Sequence, residues 1–168
     1  MKKRWSEISG TSVLTDGKDR PAGRVNAAFI NPENGTLIAF LIGFSKVLTP
    51  IDIEKWSSDH ILISSEEVLV GTFDILRLSQ FGLRRTFFIG KTVFSKSGKK
   101  FGRVRDFTIE TKTTSLLDFE VSKGFFFLKW GKRIFSYSDI FEITERSITV
   151  NVEPEQKAKA KMQTAMAG

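Results

Sequence analysis

The 168-residue chain has no cysteine and a single histidine, His60. Disulfide frameworks, thiolate nucleophiles and cysteine zinc sites are therefore excluded, and no histidine cluster exists to hold a metal. One Tyr stands beside 16 Phe, so the aromatic content is of the kind that fills dry cores. No stretch reaches the roughly 18 consecutive apolar residues needed to cross a bilayer. Met1-Lys2-Lys3-Arg4 runs into Trp5-Ser6-Glu7 instead of an apolar signal core, so a cytoplasmic location is expected. No cofactor is expected. With no Cys, one His and no recurrent pair of acid/base groups, the chain lacks the usual materials of an enzyme and reads as a binding or assembly module.

What is present is an uneven charge. Residues 1–70 hold 8 Lys/Arg against 9 Asp/Glu, net −1, whereas residues 71–152 hold 15 against 8, net +7, and the remainder contributes +1. Basicity concentrated in one half points to an acidic partner surface.

The chain also repeats itself. Gly10-Thr11-Ser12-Val13 matches Gly90-Lys91-Thr92-Val93, Asp16-Gly17-Lys18 matches Ser97-Gly98-Lys99, and Gly23-Arg24-Val25 matches Gly102-Arg103-Val104. The register continues through Ile30/Ile109, Leu37/Leu116, Ile38/Leu117, Phe40/Phe119 and Ile42/Val121, then resumes at Asp52-Ile53/Asp139-Ile140, Ile61/Ile148 and Ile63/Val150. Each copy reads as short strands joined by turns. Gly17 and Gly98 suit hairpin turns, and Asn31-Pro32-Glu33-Asn34-Gly35 joins Val25–Ile30 to Thr36–Ile42. The second copy places Thr111-Lys112-Thr113-Thr114 at that turn.

This ordered series resembles the PRC-barrel domain, the family shared by the reaction-centre H subunit and the C-terminal domain of a ribosome-maturation protein. The pieces are Gly10–Val13, the Asp16-Gly17-Lys18 turn, Gly23-Arg24-Val25, the Asn31–Gly35 turn, Leu37–Ile42 and Leu48–Ile53. The second set is Gly90–Val93, Gly98-Lys99, Gly102-Arg103-Val104, Leu116–Val121, Gly131-Lys132-Arg133 and Ile134–Ile140. The copies depart from the pattern in opposite ways. The first shortens its basic hairpin to Gly43-Phe44-Ser45-Lys46, and the second keeps the longer Ser122–Arg133. The resemblance implies an all-β chain of two tandem small PRC-like β-barrels with very short helical turns, used for binding without a shared catalytic constellation. The expected boundaries are a first repeat at 1–70, a connector at 71–84 packed between the repeats, a second repeat at 85–152, and a disordered or helical tail at 153–168. Phe73, Ile75, Leu76, Leu78, Phe81 and Leu83 make the connector too apolar for a free linker.

Two basic groups are candidate partner-binding sites. Residues 123–133 interleave Lys123, Lys129, Lys132 and Arg133 with aromatics that include Phe126 and Trp130, a pattern that suits phosphates and bases. Strand alternation alone also generates it, with Phe inward and Lys solvated. The second group is Arg84, Arg85, Lys91, Lys96, Lys99, Lys100, Arg103 and Arg105, of which Arg103 and Arg105 share one side by period two. It reads equally as a solvated face. Asp52 and Asp139 stand in short turns where a carboxylate caps backbone N–H groups. A protein or ribonucleoprotein partner is expected, with RNA a candidate ligand, self-association open and a membrane surface disfavoured. The first function to consider is an adaptor in RNA metabolism or ribosome maturation acting through the second barrel. The alternative is a protein-interaction or self-associating module.

Overall fold

The computed structural model describes residues 1–18, 20–75, 80–124 and 130–153, with Leu83 and Trp130 described by their backbone alone. A leading strand β1 (Lys2–Arg4) and a one-turn helix α1 (Trp5–Ile8) precede the first unit. That unit comprises β2 (Ser12–Thr15), β3 (Gly23–Ile30), β4 (Leu37–Ile42), β5 (Lys46–Leu48), a 3-10 turn Pro50–Asp52, β6 (Ile53–Trp56), β7 (His60–Ile63) and β8 (Val70–Gly71). Helix α2 (Leu83–Thr86) leads into the second unit: β9 (Thr92–Ser95), β10 (Lys100–Glu110), β11 (Ser115–Lys123), β12 (Trp130–Ser136), a 3-10 turn Tyr137–Asp139, β13 (Ile140–Ile143) and β14 (Ser147–Val150).

Both units form the same curled sheet, and the fold is all-β. Strand order is β6-β7-β2-β3-β4-β5 in the first and β13-β14-β9-β10-β11-β12 in the second. In each, the first and last strands pair in parallel, Val13 opposite Ile61 and Val93 opposite Ile148. The irregularities recur as well. β3 and β10 bulge against their partners at Val25/Ala27 and Phe29/Ile30, and at the equivalent Val104/Asp106 and Thr108/Ile109. β6 and β13 bulge at Ile53/Lys55 and Ile140/Glu142. A bulge places two residues opposite one and bends the sheet, so matching bulges give matching curvature. Alternation along each strand sends Val13, Val25, Phe40 and Ile61, and their counterparts Val93, Val104, Phe119 and Ile148, into one continuous core.

The units meet about a local two-fold axis. Thr36 bridges Ser115, its own counterpart in the repeat. The Leu37 N–H donates to the Thr114 carbonyl at 2.7 Å, and the equivalent Leu116 N–H donates to the Gly35 carbonyl at 2.9 Å. Such an isologous contact is the arrangement of a homodimer, realised here inside one chain.

The leading segments cross over this axis. β1 pairs with β10, Lys3 opposite Ile109, and Trp5 of α1 stacks on Phe107 at 5.6 Å. On the other side, α2 packs on β3 and Phe87 bridges Phe29. The first eight residues, grouped with the first repeat by sequence, thus lie on the second unit. In the connector, Ile75 and Phe81 join Phe87 in covering Phe29, Ile38, Ala39 and Val47 on the outer face of the first sheet. This second layer explains why β4 reads as an almost unbroken apolar run. Phe73, expected to be packed, is 90% exposed. Residues 76, 78 and 154–168 of the expected connector and tail lie outside the described residues, and nothing is said of the Leu83 side chain.

Candidate anion-binding cleft

The cations of the second unit divide by what they touch. Lys132 forms an ion pair with Glu120 at 2.7 Å, on a carboxylate that also receives Arg4 of the leading strand at 2.8 Å. Arg4 reaches Asp106 as well, whose two oxygens accept from the Ser6 N–H and Ser6 hydroxyl. Asp106 and Glu120 are both buried, so two acids that would otherwise be costly are matched by two bases. Arg85 donates to the Ile143 carbonyl at 3.2 Å and Arg105 to the Gly124 carbonyl at 2.8 Å. Arg133 lies 5.1 Å from the Phe101 ring centre, and Lys96 lies 4.1 Å from that of Phe141. These cations serve the chain itself.

Three arginines do not. Arg84 of α2, Arg103 of β10 and Arg146 of the β13–β14 turn are exposed, and among the described residues their guanidinium groups have no hydrogen bond or ion pair. All three line one open cleft of about 460 Å³, walled on its apolar side by Phe87 and Ile89 and bordered by Glu145. The β strand puts Arg103 outward because Gly102 and Val104 face inward, and the Thr92 N–H holds the turn by donating to the Arg146 carbonyl at 3.0 Å.

Beneath the cleft lies Lys91, only 4% exposed. Its ammonium donates to the carbonyls of Arg84 at 3.2 Å, Thr144 at 2.5 Å and Glu145 at 2.8 Å. Three carbonyls satisfy the three N–H bonds of a buried lysine, which makes its burial tolerable. Burial still disfavours the charge and brings its pKa down to about 8, against the attraction of Glu145 and with the repulsion of Arg85. By tying the residue that bears one cleft guanidinium to the turn that bears another, Lys91 fixes the spacing of Arg84 and Arg146.

Of the residues singled out by sequence, Arg84 and Arg103 enter this cleft. Lys99 and Lys100 are exposed at the β9–β10 hairpin, and Lys123 is exposed at the end of β11. Arg85, Arg105, Lys132 and Arg133 are engaged within the chain as described above. Phe126 and Lys129 fall outside the described residues, as does the side chain of Trp130. Gly17 and Gly98 turn their hairpins with φ of 71° and 83°. Asp52 accepts from the Thr49 hydroxyl, and Asp139 accepts from the Ser136 N–H at 2.9 Å. Sequence reasoning missed Arg146. The signal was the repeat itself, which places the acidic Asp59 at the corresponding position of the first unit. Among the described residues, no group of His, Asp or Glu is placed to hold a metal, and no helix is long and apolar enough to cross a membrane.

Residues 83–157 match the family model of the PRC-barrel domain. That span begins at α2 and takes in the whole cleft. No curated protein matches the chain.

Proposed function

We propose that this protein, whose residues 83–157 match the PRC-barrel family of binding and assembly modules, is a non-enzymatic adaptor in RNA metabolism, of the kind that serves ribosome maturation. The observation that carries the reading is the convergence of Arg84, Arg103 and Arg146 on one cleft with no internal partner. Unpaired guanidinium groups suit phosphate, which they hold with paired N–H donors, and the Phe87–Ile89 wall gives a base or sugar an apolar surface. Lys99 and Lys100 extend the positive field along the hairpin.

The test is RNA binding measured across a salt series. Affinity falls with salt, and replacing all three cleft arginines by Gln flattens the log–log slope by about 2 for a single strand. Absence of binding at about 50 mM salt, or a slope unchanged in the triple variant, would reject the reading.

A second reading has its own support in the first unit. Phe44 and Phe73 are 97% and 90% exposed and spring from adjacent turns, since Lys46 pairs with Gly71 and the Thr72 hydroxyl donates to the Ser45 carbonyl. Two bare aromatic rings at one sheet edge suit a protein partner or a second copy. A monomeric mass at high concentration that is the same for the Phe44→Ser/Phe73→Ser variant and the native chain removes the self-association form of this reading.

A further inference from the structure

Beyond the cleft, the outer face of the second sheet carries two aromatic rings in a basic setting. Pairing fixes their place. Phe94 of β9 lies between Lys100 of β10 and Thr149 of β14, and Thr149 in turn faces Glu142 of β13. The bulge at Ile140/Glu142 sets Phe141 beside Glu142 on that same outer side, where it is 61% exposed under the Lys96 ammonium. The neighbouring row runs Arg103, Thr92, Ser147 and so leads straight into the cleft, with Arg146 next along the chain. Strands lie roughly 4.8 Å apart, so the two rings, separated by β14, are about 10 Å from each other, enough for each to take its own base.

We propose that this face binds a single-stranded stretch of RNA, one base stacked on the half-buried Phe94 and another on Phe141 in place of the Lys96 ammonium, which moves from the ring to a phosphate, with further phosphates held by Lys100, Arg103 and Arg146. The inference rests on the RNA-adaptor reading and specifies the form of the RNA. A duplex keeps its base faces stacked internally and offers only phosphates, whereas unstacked bases present flat surfaces to aromatic side chains. An acidic peptide would use the cations and leave the rings idle. The first unit supplies the contrast: the positions of Phe94, Phe141 and Arg146 are there held by Leu14, Glu54 and Asp59, so neither the rings nor the positive charge recur. Glu142 and Glu145 border the face on its β13 side and direct a phosphate chain towards β9 and β10.

The experiment uses the full chain and a labelled 12-residue oligouridine, alone and as a duplex with its complement, at about 50 mM salt. The variants Phe94→Leu and Phe141→Glu install the first unit's residues, and Phe94→Leu is conservative enough to keep the fold. Single-strand affinity is expected to exceed duplex affinity and to fall about 5- to 20-fold in each variant, with the salt slope of Phe94→Leu unchanged. Arg146→Asp weakens both forms and lowers the slope. Equal or tighter binding of the duplex overturns the inference while leaving the adaptor reading intact, as does undiminished single-strand affinity in both aromatic variants. Tighter binding of a poly-glutamate chain than of the oligonucleotide also overturns it and assigns the face to an acidic protein. Loss of every RNA effect, Arg146→Asp included, removes the adaptor reading as well.

Discussion

The two units share strand order, parallel closure and each of three bulge positions, yet they differ at many places where a side chain leaves the core. Inside, Val13, Val25 and Phe40 answer to Val93, Val104 and Phe119. Outside, the first sheet is covered by Ile75, Phe81 and Phe87, while the second bears Phe94, Phe141 and Arg146 where the first has Leu14, Glu54 and Asp59. Core positions are held to one solution by close packing, and surface positions are free to diverge. Where the second unit accepts a buried charge, the first has a neutral residue: Thr11 stands for Lys91, Ala27 for Asp106 and Leu41 for Glu120.

Exchanging residues between equivalent positions tests this contrast. The largest effect is expected from Gly35→Thr, which installs the second unit's Thr114. Gly35 has φ of 70° and a Cβ there would meet the Tyr137 ring at 2.6 Å, so the change costs about 4 kcal/mol in denaturant unfolding, from left-handed strain plus overpacking. An unchanged midpoint would mean that the two turns are interchangeable.

Lys91→Thr comes next and is read through pH. The folded-state pKa of Lys91 falls from 10.5 to about 8, so between those values the unfolded chain holds a proton that the folded chain has released. Stability therefore rises with pH across that window, by up to about 3 kcal/mol for this group. The native chain should show this rise relative to Lys91→Thr when unfolding is followed from pH 7 to 10.5. Parallel curves would place Lys91 in contact with water.

Asp106→Ala, which copies Ala27, removes the acceptor of Ser6 and one of two carboxylates facing Arg4. A loss of about 2 kcal/mol is expected from the charged hydrogen bonds, with proteolysis near the N-terminus accelerating as β1 and α1 detach. Arg146→Asp, which copies Asp59, leaves stability unchanged and weakens RNA binding about tenfold, or about 1.4 kcal/mol, by anisotropy titration. The smallest effect is the converse of the first. Thr114 is the only non-glycine residue with positive φ among the described residues, at 54°, so Thr114→Gly relieves strain and stabilises by about 0.5 kcal/mol after the entropy of glycine is counted.

Much of the fold was legible because duplication states each strand twice. Alternation put Arg103 and Arg105 on one side, and glycine placement marked Gly17 and Gly98 as turns, from neighbours in sequence alone, while the bulge at Val104/Asp106 is what parts Arg105 from the inward Phe107. The site was less so. Arg84 and Arg103 stood among eight basic residues with nothing to rank them, since what commits Arg4 and Lys132 to the chain is a carboxylate more than a hundred residues from the former and twelve from the latter. Phe94 and Phe141 looked like any other phenylalanines of a Phe-rich chain, because inward and outward aromatics are alike until the bulge at Ile140/Glu142 turns one of them out.

By itself the sequence determined an all-β duplicated chain, its turn chemistry and the half that carries the charge, because periodicity, glycine placement and ion counts are local quantities. Tertiary structure alone decided the two-fold contact at Thr36 and Ser115, the crossing of β1 onto β10, and which cations remain unpaired. The physical reason is that a charge is free or spent according to what lies within a few ångströms of it, and in this protein those neighbours stand from a dozen to more than a hundred residues away along the chain.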